Sequence, residues 1–165
     1  MSDISHIIVS IEKQRLYCID HQGNILIEYP VSTSVFGTGS ENGSFKTPLG
    51  EHSIAQKIGA GSAINEVFIG REPQGILEEL RHGGKPLPED IITSRILWLQ
   101  GEESGLNMGE GIDSYQRYIY IHGTSEEVKI GHPASHGCVR MKNKDVIELF
   151  DLVDKGCRVL IQETL

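Results

Sequence analysis

Several things are scarce in this chain of 165 residues, and each scarcity narrows the reading. Long apolar runs are missing. None approaches the ~18 residues that a membrane-crossing helix requires. Cysteine is limited to Cys18, Cys138 and Cys157, an odd and widely spaced set. That count excludes a disulfide framework, and the lack of a Cys-x-x-Cys pair argues against a closed zinc site. Positive charge is short, with 15 Lys and Arg against 23 Asp and Glu and a net charge of −8. A nucleic-acid binder would normally carry a basic face. The opening residues, MSDISHIIVS, have no cationic start, no long apolar segment and no small-residue cleavage site. They predict a protein without a secretory signal, hence cytoplasmic. Repeats and linkers are lacking too, so one domain is expected over residues 1–165.

Glycine, by contrast, is abundant, with 19 residues. That many turn formers suggests a mainly β fold. Residues 7–11, 16–19 and 25–31 read as a three-stranded meander, the last two joined by turn chemistry at Asn24 and Gly23. Residues 51–58, 66–70, 91–100 and 158–162 read as further strands. Residues 37–50 form a Gly/Ser/Asn-rich loop. Its Lys46-Thr47 does not make a phosphate loop, because Ser44 and Phe45 separate Lys46 from Gly43. Residues 75–83 suggest a short helix ended by glycine. Pro86 and Pro88 interrupt regular structure after it, so 71–90 reads as an excursion that forms a lid or a pocket wall.

The clearest helix covers residues 143–155. Val146, Leu149, Phe150 and Val153 recur on one face, Asn143 suits the N-cap, and Lys155-Gly156 suits the end. Cys18 and Cys157 lie in apolar runs and read as small buried hydrophobes.

The chemistry concentrates just before that helix. Ile121-His122-Gly123-Thr124 is followed by Ser135-His136-Gly137-Cys138-Val139-Arg140-Met141. A cysteine next to a histidine is the usual way to obtain a sulfur nucleophile near neutral pH. Alternation through Tyr118 and Tyr120 places His122 at a strand tip, on the face of both tyrosines. The Gly123 carbonyl can fix the His122 tautomer. Cys138, ahead of a helix, is expected near free amides and the positive dipole end, which lower a thiol pKa. His136 shapes the oxyanion hole, contacts substrate or serves the structure. A mixed metal site from His122, His132, His136 and Cys138 is a competing reading. His6, His21, His52 and His82 read as surface or packing residues.

These segments, with Thr47-Pro48-Leu49-Gly50 upstream, closely resemble the signature of the bacterial L,D-transpeptidase family. The resemblance implies a β-sandwich with a helix after the nucleophile. It implies Cys138 as nucleophile, His122 as base and Gly123 as the carbonyl that orients it. Ser135, His136 and Gly137 would form the motif and oxyanion hole, and Arg140 would support the loop or a substrate carboxylate. No cofactor or metal is implied. The partner would be a muropeptide or peptidoglycan stem peptide, neither nucleic acid nor membrane, and carbapenems would acylate Cys138. The chemistry would be attack at the L-centre of diaminopimelate with release of D-Ala. In a cytoplasmic protein water is the abundant acceptor, so an L,D-carboxypeptidase of peptidoglycan recycling is expected. The alternatives are an L,D-transpeptidase forming 3-3 crosslinks or exchanging D-amino acids, and a non-catalytic stem-peptide binder.

Overall fold

A computed structural model describes residues 3–84 and 86–165; Lys85, inside the expected lid segment, lies outside them. Ten strands carry the fold: β1 (Ile4–Ser10), β2 (Arg15–Asp20), β3 (Ile25–Ser32), β4 (Gly50–Ile58), β5 (Glu66–Ile69), β6 (Glu72–Ile76), β7 (Ile92–Gly101), β8 (Tyr120–Thr124), β9 (Val139–Met141) and β10 (Arg158–Gln162). Helix α1 spans Leu77–His82 and α2 spans Asn143–Leu152.

The strands form one sheet in the order β4-β10-β1-β2-β3-β9-β8-β7-β5-β6, and β4 also pairs with β7. That extra pairing closes eight strands into a ring and leaves the β5–β6 hairpin attached to β7. Closure removes the open edges that a flat sheet would present. The interior is apolar. Ile7, Val9, Leu16, Val31, Leu97, Leu99, Ile121, Val139, Met141 and Ile161 are buried there together with Val146, Leu149 and Phe150 of α2.

Period-two alternation sends the intervening residues of β7 and β8 outward. Ile96, Trp98 and Tyr120 join Phe68 in a second, smaller core on the outer face, with Cys138 and Tyr115 packed against it. The site is therefore built on the outside of the ring, roofed by loops. Strands β8 and β9 run parallel, with Ile121 opposite Val139, His122 opposite Arg140 and Gly123 opposite Met141.

Three local expectations are corrected. His122 is an interior residue of β8 rather than its tip, because the strand continues to Thr124. Tyr118 lies outside β8, with a left-handed φ of 57°. Asn143 is the first helical residue rather than the cap: Lys142 holds the cap position without a side-chain bond. The Asn143 side chain turns inward instead. Its Oδ1 accepts Thr93 Oγ1 at 2.5 Å and Ser94 Oγ at 2.6 Å, and its Nδ2 donates to the Thr124 carbonyl at 2.9 Å. The cap is supplied at a distance by Glu127, whose carboxylate accepts the Asn143 N–H at 2.7 Å.

Candidate active site

Cys138 directly precedes β9. Since Val139 pairs with Ile121, Cys138 stands beside Tyr120, and in a parallel pair laterally paired residues share a face. Tyr120, His122, Cys138 and Arg140 thus project from one face of two adjacent strands. That placement brings together the cysteine and histidine that sequence separates by sixteen positions.

The ring of His122 is fully buried. Its Nδ1 lies 2.5 Å from the Gly123 carbonyl oxygen. A carbonyl only accepts, so Nδ1 carries the proton and Nε2 presents a bare lone pair. Among the described residues Nε2 has no hydrogen-bond partner. Burial lowers the His122 pKa, opposed by Asp90 and by the Gly123 carbonyl. The imidazole is therefore neutral at pH 7, ready to take a proton. Gly123 is required for this geometry. A Cβ there would stand 2.5 Å from both Asn143 Oδ1 and the Thr93 carbonyl. Opposite it, β7 carries a register shift between Thr93 and Ile96, with Ser94 at φ 72°. Bulges of this kind re-aim neighbouring side chains.

Cys138 is half-buried. Its Sγ donates to the Tyr118 carbonyl and accepts the Tyr120 N–H, both at 3.3 Å. The expected helix-dipole activation is not what the structure supplies. Strand β9 intervenes between Cys138 and α2. Burial pushes the thiol up to about 12; the Tyr120 N–H, Arg140 and Arg117 pull it down, while Asp90 adds to the rise. The resting pair is thus neutral thiol and neutral imidazole, and sulfur is deprotonated as it attacks.

The loop before Cys138 is stapled from within. Ser135 Oγ donates to the Cys138 carbonyl at 2.6 Å and accepts the Gly137 N–H at 3.2 Å. Thr47, in the upstream Thr-Pro-Leu-Gly turn, donates to the Gly137 carbonyl and accepts the Ser34 N–H, both at 2.9 Å. Gly137 has φ 126°, and a Cβ would press on the Lys46 carbonyl at 3.3 Å. No protein acceptor among the described residues takes the His136 or Cys138 N–H. His136 is partly exposed, its Nδ1 3.6 Å from Asp90 Oδ2 and its ring stacked on Phe36.

Arg140 is not open to a substrate carboxylate. Its side chain is 2 % exposed and bonds Asp90 at 2.7 Å and Glu126 at 3.2 Å. Its charge is met internally, an arrangement that suits loop support. Asp90 and Glu126 escaped the sequence reading. Asp90 ends the 71–90 excursion, which delivers this carboxylate to the site rather than only a wall. An aromatic wall also escaped it: Trp98 stacks on Tyr115 at 4.2 Å and lies edge-on to Tyr120 at 5.6 Å. The period-two pattern of β7 was the available signal, since it puts Ile96 and Trp98 on one face. The mixed metal set does not form; no group of three or more His, Cys, Asp or Glu suited to a metal ion converges among the described residues.

Residues 4–161 match the family described as YkuD, L,D-transpeptidase catalytic domain. The chain belongs to the L,D-transpeptidase catalytic-domain family. YbiS of Escherichia coli (strain K12), named as a probable L,D-transpeptidase, is 27% identical over 157 residues, covering 93% of this chain and 43% of that protein. YkuD of Bacillus subtilis (strain 168), provisionally named as an L,D-transpeptidase, is 56% identical over 46 residues, 28% of each chain. These matches span less than half the length of either relative. The fold is shared with an L,D-transpeptidase from Mycobacterium smegmatis at a TM-score of 0.56 and 16% identity, covering 98% of this chain and 59% of that one. No helix among the described residues is long and apolar enough to cross a membrane.

Proposed function

We propose that Cys138 and His122 transfer the acyl group of a peptidoglycan stem tetrapeptide through a thioester, with water as the favoured acceptor. The observation that carries this reading is the bare, buried Nε2 of His122 on the same sheet face as the Cys138 thiol.

The steps follow from those atoms. Cys138 Sγ attacks the carbonyl carbon at the L-centre of diaminopimelate, and its proton passes to His122 Nε2. The new oxyanion is held by the uncommitted N–H groups of His136 and Cys138; one such donor contributes about 3–4 kcal/mol in acyl-transfer sites. The imidazolium, steadied by the Gly123 carbonyl and by Asp90, then protonates the amine nitrogen. The C–N bond breaks and D-Ala leaves. Water next gives a proton to Nε2, its oxygen bonds the acyl carbon, and the C–S bond breaks with the proton returned to sulfur. The product is a tripeptide, which makes the protein an L,D-carboxypeptidase. The enclosure of Nε2 supports water, since the smallest acceptor reaches an enclosed base with the least movement of its surroundings. The family and the names of its members support the second reading, an amine acceptor and hence 3-3 crosslinks or D-amino acid exchange. Cys138 is likewise the proposed point of acylation by carbapenems.

Incubation of the protein with a disaccharide-tetrapeptide, read by product mass, decides the acceptor. Loss of one D-Ala supports hydrolysis. Dimers, or incorporation of an added D-amino acid in place of D-Ala, assign the amine reading. Intact tetrapeptide would refute both.

A further inference from the structure

Two arginines, Arg140 and Arg117, act on the thiol, and both are committed. Arg140 is held by two carboxylates, and Arg117 donates to the carbonyls of Gly39 and Lys46 and to Ser44 Oγ. Arg71 differs. Among the described residues it makes one hydrogen bond, from Nη1 to the Tyr120 hydroxyl at 3.2 Å, and no carboxylate pairs with it. Its guanidinium lies over the rings of Trp98, at 4.9 Å, and Tyr118, at 5.0 Å. With one N–H directed to Tyr120, the other guanidinium donors have no hydrogen-bond partner among the described residues, and their fork geometry matches a carboxylate.

Its position relative to the nucleophile is fixed by two tyrosines. Tyr118 and Tyr120 each touch Cys138 Sγ with the main chain and Arg71 with the side chain. The cation therefore stands about one tyrosine side chain from the sulfur. Extended peptide advances about 3.5 Å per residue, so a carboxylate one or two residues from the attacked carbonyl falls within its reach.

The backbone points the same way. Gly70 and Arg71 form the turn of the β5–β6 hairpin with φ values of 55° and 70°. Two successive left-handed residues define a turn in which Gly, Asn and Asp are the unstrained choices. An arginine there is held in a disfavoured conformation while its side chain folds back over the wall, an arrangement seen where strain serves a site.

We propose that Arg71 is the substrate-carboxylate receptor of this site, gripping a free carboxylate of the stem peptide against the Trp98–Tyr118–Tyr120 wall. This rests on the acyl-transfer reading and names the substrate group that positions the scissile bond. Two carboxylates qualify by distance: that of the leaving D-Ala and that on the D-centre of diaminopimelate.

The test compares three tetrapeptides: the free acid, its C-terminal amide, and the amide of the D-centre carboxylate. Kinetics are measured on the wild type and on Arg71→Ala, Arg71→Gly and Arg71→Lys. The wild type should lose roughly 10–100-fold in kcat/KM on one of the two amides, as for loss of a charge-assisted bond. Arg71→Ala and Arg71→Gly should show a similar loss on the free acid and no remaining penalty for that amidation, and Arg71→Lys should recover part. Arg71→Gly suits the turn, so its loss cannot be ascribed to misfolding. Trp98, the single tryptophan, reports binding without turnover. In a Cys138→Ala background, its fluorescence should give at least tenfold weaker affinity for the free acid when Arg71 is replaced. A wild type indifferent to both amidations, or Arg71 variants that keep the discrimination, would overturn the assignment while acyl transfer stands. A wild type that leaves all three peptides intact would sink acyl transfer and this receptor with it.

Discussion

Replacing Arg140 with alanine separates the two roles that its position in the motif suggests. The side chain is 2 % exposed and joins Asp90, 27 % exposed, to Glu126, 35 % exposed. Truncation removes one buried cation from two carboxylates, a change that costs about 3–5 kcal/mol when the orphaned partners stay dry. Here both carboxylates can draw on water, which moderates the loss. A value of about 3 kcal/mol follows, including the lost packing of the arginine stem. For a protein of this size that lowers Tm by roughly 6–12 °C. Because Asp90 also faces His136 at 3.6 Å, the loop carrying the proposed oxyanion donors loosens too. The expected kinetic result is a fall in kcat on the free-acid peptide and on both amides alike. Thermal unfolding monitored by circular dichroism gives the first quantity, and D-Ala or D-alaninamide release gives the second. An unchanged Tm combined with a KM defect confined to a free-acid substrate would show that Arg140 holds substrate and would refute the staple.

Stability should depend on pH through buried neutral groups. His122 and His52 are both depressed below their ordinary value of 6.5, chiefly by burial. A depressed group contributes stability that is present above 6.5 and is lost as pH falls toward the folded value. Urea unfolding should therefore show stability falling below pH 6.5, with a limiting slope of about 1.4 kcal/mol per pH unit for each histidine. A flat profile from pH 7 to 5 would contradict this. Cys138, raised from 9 to about 12, acts at the other end. Its contribution is complete below pH 9 and is lost as pH rises toward 12. Its thiolate absorbance, taken as the difference between wild type and Cys138→Ala, should be missing at pH 8; a thiolate signal at pH 7 would refute the neutral resting pair. Gly123→Ala should force the strand off Thr93 and Asn143, since the added carbon would sit 2.5 Å from each. Overpacking of this kind costs about 1–3 kcal/mol, and displacement of the Gly123 carbonyl should cut kcat beyond what the Tm change explains. Wild-type kcat in this variant would show that the carbonyl does not set the base.

The sequence made most of the site legible because its chemistry lies in one compact pattern. His122 and Cys138 could be paired by residue type, and Thr47-Pro48-Leu49-Gly50 could be noticed, although its purpose could not. That Thr47 reaches Gly137 depends on the crossing of two distant loops. Strand β9 was hidden because three residues show no period, and β6 because Pro73 and Gly75 break the strand pattern. Asp90 carried no signal at all, being an ordinary acidic residue at the end of a proline-rich excursion. Cys138 was misjudged electrostatically because sequence proximity to a helix ignores a strand inserted between them. Asn143 looked like a cap because its type suits one, yet the bulge in β7 presents two hydroxyls that compete for its side chain.

The central claim is covalent: the acyl group passes through Cys138 sulfur. It is tested by mixing the protein with tetrapeptide, quenching in acid within the first turnover, digesting, and mapping mass onto the cysteine-bearing peptides. The account predicts a tripeptide-acyl increment on the peptide containing Cys138, none on those containing Cys18 or Cys157, and no D-Ala release by Cys138→Ala. Release of D-Ala by Cys138→Ala at the wild-type rate would contradict it.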